Sequence, residues 1–318
     1  MRGRPVDRGV RAQNSVGSVS RALRPYLDNL EFRPLPDTET RYASMRNGDV
    51  DLIFGGYNDE LIRAMRDQKL KFYYGPGDLG EYLLYNFNRP PFNDRRMLEA
   101  VIRAMNIPAL GASLYNGRLV PADSLFNTDS PYHAQAASDA WPKFDPEKSK
   151  QLIQEYTGSG GNPNFSFKTS NAPNRVEFGE FLQAQMAAVG IRVDLRFYDL
   201  AQFSSQVVQS GDFQATTCVG TIDTPYPAVW RLLHTGAPNN FGKYSNPQVD
   251  ALLDEAAGTM DPSAHKRAYQ QVEQLTGQDL VFAYFSHSNL STITRPEVKG
   301  VDRYISRDMF FATTWLDR

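Results

Sequence analysis

The sequence predicts an α/β protein. Three observations predict it. Helix-length and strand-length apolar patterns alternate along the chain. Several strand-like runs, such as Val50–Phe54, are compact and apolar, as in a largely buried sheet. The breaks between them fall on glycine, proline or capping Asp and Asn residues.

Patterning begins at Tyr26, and residues 28–34 read as a short strand ending at Pro34. A helix follows over 38–47, with Asp37 as N-cap and Gly48 as its stop. Val50–Phe54 is a strand, Glu60–Gln68 an amphipathic helix, and Leu70–Tyr74 a strand broken by Gly75-Pro76-Gly77. Tyr82–Phe87 is the next strand, followed by a proline-stiffened linker over 88–94. Arg95–Met105 carries Met97, Val101 and Met105 at spacing four and is a helix. From Gly111 to Asp145 periodic signals are few, which marks a long connection that is functional or wraps the surface. Asp145–Tyr156 is a helix with Pro146 in its first turn.

Phe165–Thr169 and Ile191–Phe197 alternate as strands on either side of a helix at 175–189. Residues 203–210 are helical, and Phe213–Val219 is a strand running into Gly220. Helices follow at 247–257 and 262–278, then an aromatic-rich strand at 279–286. Residues 291–315 read as short strands and turns.

Composition bounds the function. The 318 residues suffice for one large domain or two. A formal net charge of −2 leaves no basic footprint for nucleic acid. The sequence has no apolar run of membrane-spanning length. The lone Cys218 precludes an intramolecular disulfide, and the scattered His133, His234, His265 and His287 lack metal spacing, so no cofactor is expected. The arginine- and serine-rich residues 1–25 have the composition of a disordered leader and lack the apolar core of a secretory signal. No phosphate loop, nucleophile elbow or His-Glu metal motif occurs, so an enzyme is not expected.

Six segments, in order, carry a resemblance. They are Tyr26-Leu27-Asp28 with Arg46-Asn47-Gly48-Asp49-Val50-Asp51; Tyr85-Asn86-Phe87-Asn88 with Pro90-Pro91-Phe92-Asn93-Asp94; and Phe144-Asp145-Pro146-Glu147-Lys148. The others are Leu182–Met186 with Gly190-Ile191-Arg192-Val193; Gly211-Asp212-Phe213 ten residues before Asp223; and Tyr244-Ser245-Asn246-Pro247 with Leu252 and Leu253. Together they resemble the extracytoplasmic solute-binding proteins of peptide and nickel ABC transporters. The resemblance implies a two-lobe, periplasmic-binding-protein-like fold of the type II cleft kind that traps a peptide or similar solute by closure and delivers it to a transporter permease. It also implies a monomer and a periplasmic or otherwise extracytoplasmic location. Residues 82–287 would form a complete second lobe, and 26–81 with 288–318 a partial first lobe. Family members carry roughly two hundred further residues, about one domain, ahead of the first match.

The resemblance also points to ligand-binding residues. Asp223 matches the aspartate that holds a peptide's α-ammonium, by a charge-assisted hydrogen bond; otherwise it starts a turn with Thr224-Pro225. Gly220 stands where the family often has a tryptophan, and with Thr221 it leads into Asp223. Arg175, at a helix start, either faces a carboxylate or is a solvated first-turn residue. Asn240 either lines the cleft or forms a turn with Asn239. Tyr82 and Asn88 fall at the expected lobe crossing, where the tyrosine can equally be sheet packing. Two other readings stand beside capture for transport: a ligand-sensing regulatory module, and a truncated remnant of the same fold without function.

Overall fold

The computed structural model describes residues 26–35, 37–56, 59–222, 224–303 and 309–317. The chain divides into two compact units, one holding the residues up to Gly75 and from Asn289 onward, the other Pro76–Ser288. The expected leader at 1–25 lies outside the described residues.

The first unit opens with helix α1 (Thr38–Asn47), strand β1 (Leu52–Gly56) and helix α2 (Asp59–Arg66). Asp37 caps α1 by accepting the Thr40 N–H at 2.8 Å, and Gly48 closes it at φ 81°, a left-handed value that suits glycine. The unit's apolar cluster is small: Met45, Ile53, Leu61 and Ala64 pack with Ile293. Strand β1 pairs antiparallel with residues 290–294, in the register Leu52↔Thr294 and Ile53↔Ile293.

The strand expected at 28–34 is not one. Residues 26–35 join no strand ladder among the described residues. Arg33 instead grips Glu31 through two hydrogen bonds of 2.7 and 3.0 Å, and Phe32 packs edge-on against Phe311. Apolar residues alone do not make a strand without a neighbour to complete the ladder.

Strand β2 (Lys71–Tyr85) carries the chain into the second unit. The sequence splits this stretch at Gly75-Pro76-Gly77, but the strand continues through it. Its ladder with β5 (Ala215–Thr221) begins at Leu79, so the missing proline N–H costs no bond there. In chain order the second unit then holds α3 (Arg95–Ala104), α4 (Ile107–Leu114), α5 (Gln135–Ala140), α6 (Pro146–Gly158), β3 (Phe165–Ser170), α7 (Pro173–Ala187) and β4 (Val193–Tyr198). A single turn, α8 (Leu200–Gln202), runs into a π-helical stretch, Phe203–Gln209, ahead of β5. Three helices, α9 (Pro225–Leu233), α10 (Pro247–Gly258) and α11 (Pro262–Gln278), precede β6 (Phe282–Thr294).

Proline in the first turn and an Asp or Asn N-cap recur: Asp145 on α6, Asn246 on α10 and Asp261 on α11 each accept a backbone N–H. Helix α9 has no counterpart in the sequence reading, where Thr224-Pro225 reads as a turn started by Asp223. Pro225 is tolerated there because a first-turn residue needs no N–H donor. Asp279 caps the end of α11 instead of opening a strand, so β6 begins later than expected and runs to Thr294. Beyond it, Val298–Lys299 (β7) pairs with Trp315–Leu316 (β10), and Asp302–Arg303 (β8) with Met309–Phe310 (β9).

Within the second unit the strands lie in the order β6-β2-β5-β3-β4. β3 is parallel to β4 and β5, and β2 is antiparallel to β5. Helix α3 buries Met97, Leu98, Val101 and Ile102 against this sheet's core. Aromatic contacts bind the layers: Tyr85 stacks on Phe92 at 4.5 Å and Phe178 on Phe285 at 4.7 Å. Gly80, at φ 126°, sits so close to β6 that an added Cβ would lie 2.1 Å from the Ser286 carbonyl oxygen.

Two buried carboxylates pin the long 111–145 connection. Glu273 of α11 accepts the backbone N–H groups of Phe126, at 2.7 Å, and Ala134. Asp78 of β2 accepts the backbone and side-chain N–H of Asn127 and the Ser130 hydroxyl, at 2.9, 2.6 and 3.0 Å. A connection of that length stays ordered because its backbone groups find such partners.

Candidate functional site

A pocket of about 590 Å³ opens within the 76–288 unit. The upper part of β5 forms its floor from Thr217 to Thr221 and on to Ile222; β2 contributes Leu79, Tyr82 and Leu84; α7 contributes Arg175; and α9 with the loop after it contributes Arg231 and residues 239–242. Its size and its mixture of apolar walls and few polar groups suit a small organic solute.

Five of the residues expected from the sequence line this pocket: Tyr82, Arg175, Gly220, Thr221 and Asn240. Asp223 lies outside the described residues, although its flanking Ile222 and Thr224 both line the pocket. Asn88 does not belong to it. Its side chain is exposed in the turn after β2, its backbone N–H donates to Asn86 Oδ1 at 3.1 Å, and it borders a separate depression with Asn246 and Asp279. The cause is β2 itself, which ends at Tyr85, so the turn beyond carries Asn88 away from the floor.

Tyr82 is buried, with its ring 4.4 Å from that of Phe282, and it stands opposite Cys218 across the β2–β5 ladder. Packing is therefore part of its role. Burial pushes the Cys218 thiol up to about 12, so it stays protonated at neutral pH and is a poor nucleophile there. Beside it, the hydroxyls of Thr169 and Thr217 bond each other at 3.0 Å.

Arg175 is ion-paired. Its Nη2 donates to Glu81 Oε1 at 3.1 Å, with side-chain exposures of 17% and 19%. The other Glu81 oxygen accepts the Tyr115 hydroxyl, whose ionisation burial and the neighbouring Glu81 charge both oppose. Asn240 is a fastener: its Nδ2 donates to the carbonyls of Tyr244 and His234 at 2.7 and 3.1 Å, and its Oδ1 accepts the Tyr244 N–H at 3.0 Å. It lines the pocket while its polar atoms hold the loop around it closed.

Gly220 faces Gly80 across the ladder, and a Cβ at Gly220 would lie 2.6 Å from Leu79 Cδ2. The Leu79 side chain thus occupies the place that a side chain at Gly220 would take. The apolar rim comes instead from Leu200 and Val219, 72% and 61% exposed, which sequence reasoning missed. Arg231 was missed too; its signal in the sequence is a lone charge within the run Ala228-Val229-Trp230-Arg231-Leu232-Leu233.

Among the described residues, no group of three or more His, Cys, Asp or Glu is placed to hold a metal ion, and no helix is long and apolar enough to cross a membrane.

Comparison with known proteins adds a family. Residues 21–240 match the family model described as bacterial extracellular solute-binding proteins, family 5 Middle. The glutathione-binding protein GsiB of Escherichia coli K12 is 26% identical over 265 residues, covering 80% of this chain and 51% of that protein. The chain thus spans about half the length of the curated relatives it matches. In fold it resembles the oligopeptide-binding protein AppA from Bacillus subtilis, solved with a nonapeptide, at TM-score 0.74 and 20% identity over 93% of this chain and 62% of that one. It also resembles NikA from Staphylococcus aureus, solved with Ni(L-His)2, at TM-score 0.70 and 19% identity over 92% of this chain and 63% of that one.

Proposed function

We infer the function from one premise: the chain belongs to the bacterial extracellular solute-binding proteins of family 5. On that premise we propose that the pocket of the 76–288 unit captures a peptide or similar small solute for an ABC importer. The observation that carries the reading is convergence. Tyr82, Arg175, Gly220, Thr221 and Asn240 come from four separate stretches of chain and line one pocket, together with both neighbours of Asp223.

In this reading Asp223 anchors the solute's ammonium group by a charge-assisted hydrogen bond. Leu200, Phe203, Val219 and Phe241 supply apolar contact. The 76–288 unit corresponds to the family's second lobe, the site of action is extracytoplasmic, and the partner is the importer's permease. No catalytic role is proposed: the relatives compared are solute-binding proteins, and the pocket's thiol is held protonated.

Isothermal calorimetry of the 318-residue chain tests the reading, with glutathione and a di- to pentapeptide library as probes and Asp223→Ala beside the parent. Saturable binding, weakened by roughly tenfold or more in the variant, is the expected result. A monodisperse, folded sample that gives no heat with any probe refutes it.

A further inference from the structure

We propose that Leu79 is a specificity-determining residue of this pocket: its side chain, held over Gly220, fills the space beside the floor and admits a solute whose facing part is no larger than glycine or alanine; this rests on the solute-binding reading above.

The backbone at Leu79 is unusual. Its φ is 63°, in the left-handed region that L-residues disfavour. Among the described non-glycine residues at positive φ, which are Leu79, Asn116, Lys243 and Leu280, Leu79 is the one that lines the pocket. The conformation redirects the side chain. Leu79 pairs with Thr221 across the β2–β5 ladder, so in a regular strand those two would share a face and Gly220 would belong to the other. Instead Leu79 Cδ2 stands 2.6 Å from where a Cβ of Gly220 would be. Leu79 is buried, so it forms wall and not rim.

Several ties hold it there. The Leu79 N–H donates to the Leu125 carbonyl at 2.7 Å, and the Leu79 carbonyl lies 3.0 Å from His287 Nδ1. The His287 backbone N–H donates to the Val120 carbonyl at 2.9 Å, so the 111–145 connection grips β2 and β6 together. Burial lowers the His287 pKa, which keeps the ring neutral at neutral pH, and the facing carbonyl makes Nδ1 the protonated nitrogen. On one side of Leu79, Asp78 holds Asn127 and Ser130; on the other, Gly80 lies hard against β6. A residue kept in a sparsely populated conformation by this many partners marks a place where stability is given up for function. With its root fixed, the tip of the leucine can yield to a methyl group but cannot clear room for a ring.

The frame for the test is the tightest binder among the di- to pentapeptides. Each of its residues is replaced in turn by alanine and by phenylalanine, and every form is titrated by calorimetry against the 318-residue chain. In the parent, phenylalanine should bind roughly tenfold or more weakly than alanine at one position of the frame, the size of a misfit in an apolar pocket. Leu79→Ala shortens the side chain and keeps the backbone preference; it should abolish the discrimination at that position and leave the other positions unchanged. Leu79→Gly also relieves the left-handed backbone, which favours its folding, and should do the same. A parent that takes phenylalanine as readily as alanine at every position overturns the inference while leaving the peptide reading intact. So does a folded Leu79→Ala or Leu79→Gly variant whose preference is unmoved, or moves equally at all positions. If no peptide binds the parent, the peptide reading itself fails and this inference with it.

Discussion

The carboxylate of Glu273, on α11, accepts the backbone N–H of Phe126 at 2.7 Å, although the two residues are far apart in sequence and both are buried. The same carboxylate takes the Ala134 N–H and lies 3.5 Å from the His133 ring. Burial raises its pKa to about 8, from an ordinary 4.5; the two backbone donors pull the other way, and the Asp78 and Asp123 charges reinforce the rise. The folded state therefore holds the proton more tightly than the unfolded chain. Glu273's contribution to stability is fully present below about pH 4.5 and is lost progressively as pH climbs to about 8. In Glu273→Gln, chemical denaturation across that window should show a flatter dependence on pH. A slope identical to the parent's would show that Glu273 does not titrate there.

Gly80 leaves no room for a side chain. A Cβ there would strike the backbone of β6, and at φ 126° an L-residue is strained as well. At Gly220 the obstacle is only the end of the Leu79 side chain, which can turn aside. Gly80→Ala should cost about 1–3 kcal/mol or more, and Gly220→Ala distinctly less. Thermal melts of the two variants compare them directly, and equal losses would refute the distinction.

Asn240 satisfies three backbone groups of the loop between α9 and α10. Asn240→Ala strands them and should destabilise by about 1–3 kcal/mol. Asn240→Asp keeps the acceptor for the Tyr244 N–H but sets a carboxylate against two carbonyls, and should be no better. Urea titrations of both variants check this.

Cys218 should react slowly with a thiol-specific reagent such as Ellman's at neutral pH, and at the rate of a free thiol once the protein is denatured. Its raised pKa leaves almost no thiolate, although the side chain borders the pocket. Fast labelling of the native protein would show that the thiol is not held protonated there.

Sequence and structure agree most closely where local chemistry decides. Asp37, Asp145 and Asn246 each begin a helix because a short side chain can reach an N–H one turn ahead, a relationship visible in the sequence. Agreement fails where tertiary partners decide. The Gly75–Gly77 stretch stays in a strand, and the apolar residues around Phe32 do not form one. Helix α9 is hidden because Thr224-Pro225 at its start reads as a turn, and Arg231 is hidden with it. At the site, resemblance brought five lining residues to attention. It could not show that Arg175 is already paired or that Asn240 is occupied, because Glu81 and Tyr244 become their partners only through the fold.

The small cluster of Met45, Ile53, Leu61 and Ala64 draws its fifth member, Ile293, from near the other end of the chain, and β1 finds its antiparallel neighbour there too. On the ribosome, Met45 to Ala64 emerge before the whole 76–288 unit and wait with an unpaired strand edge and an exposed apolar face until Ile293 arrives. Order of synthesis and order of assembly are thereby decoupled: the earlier segment cannot complete its fold until the intervening 76–288 unit has been translated.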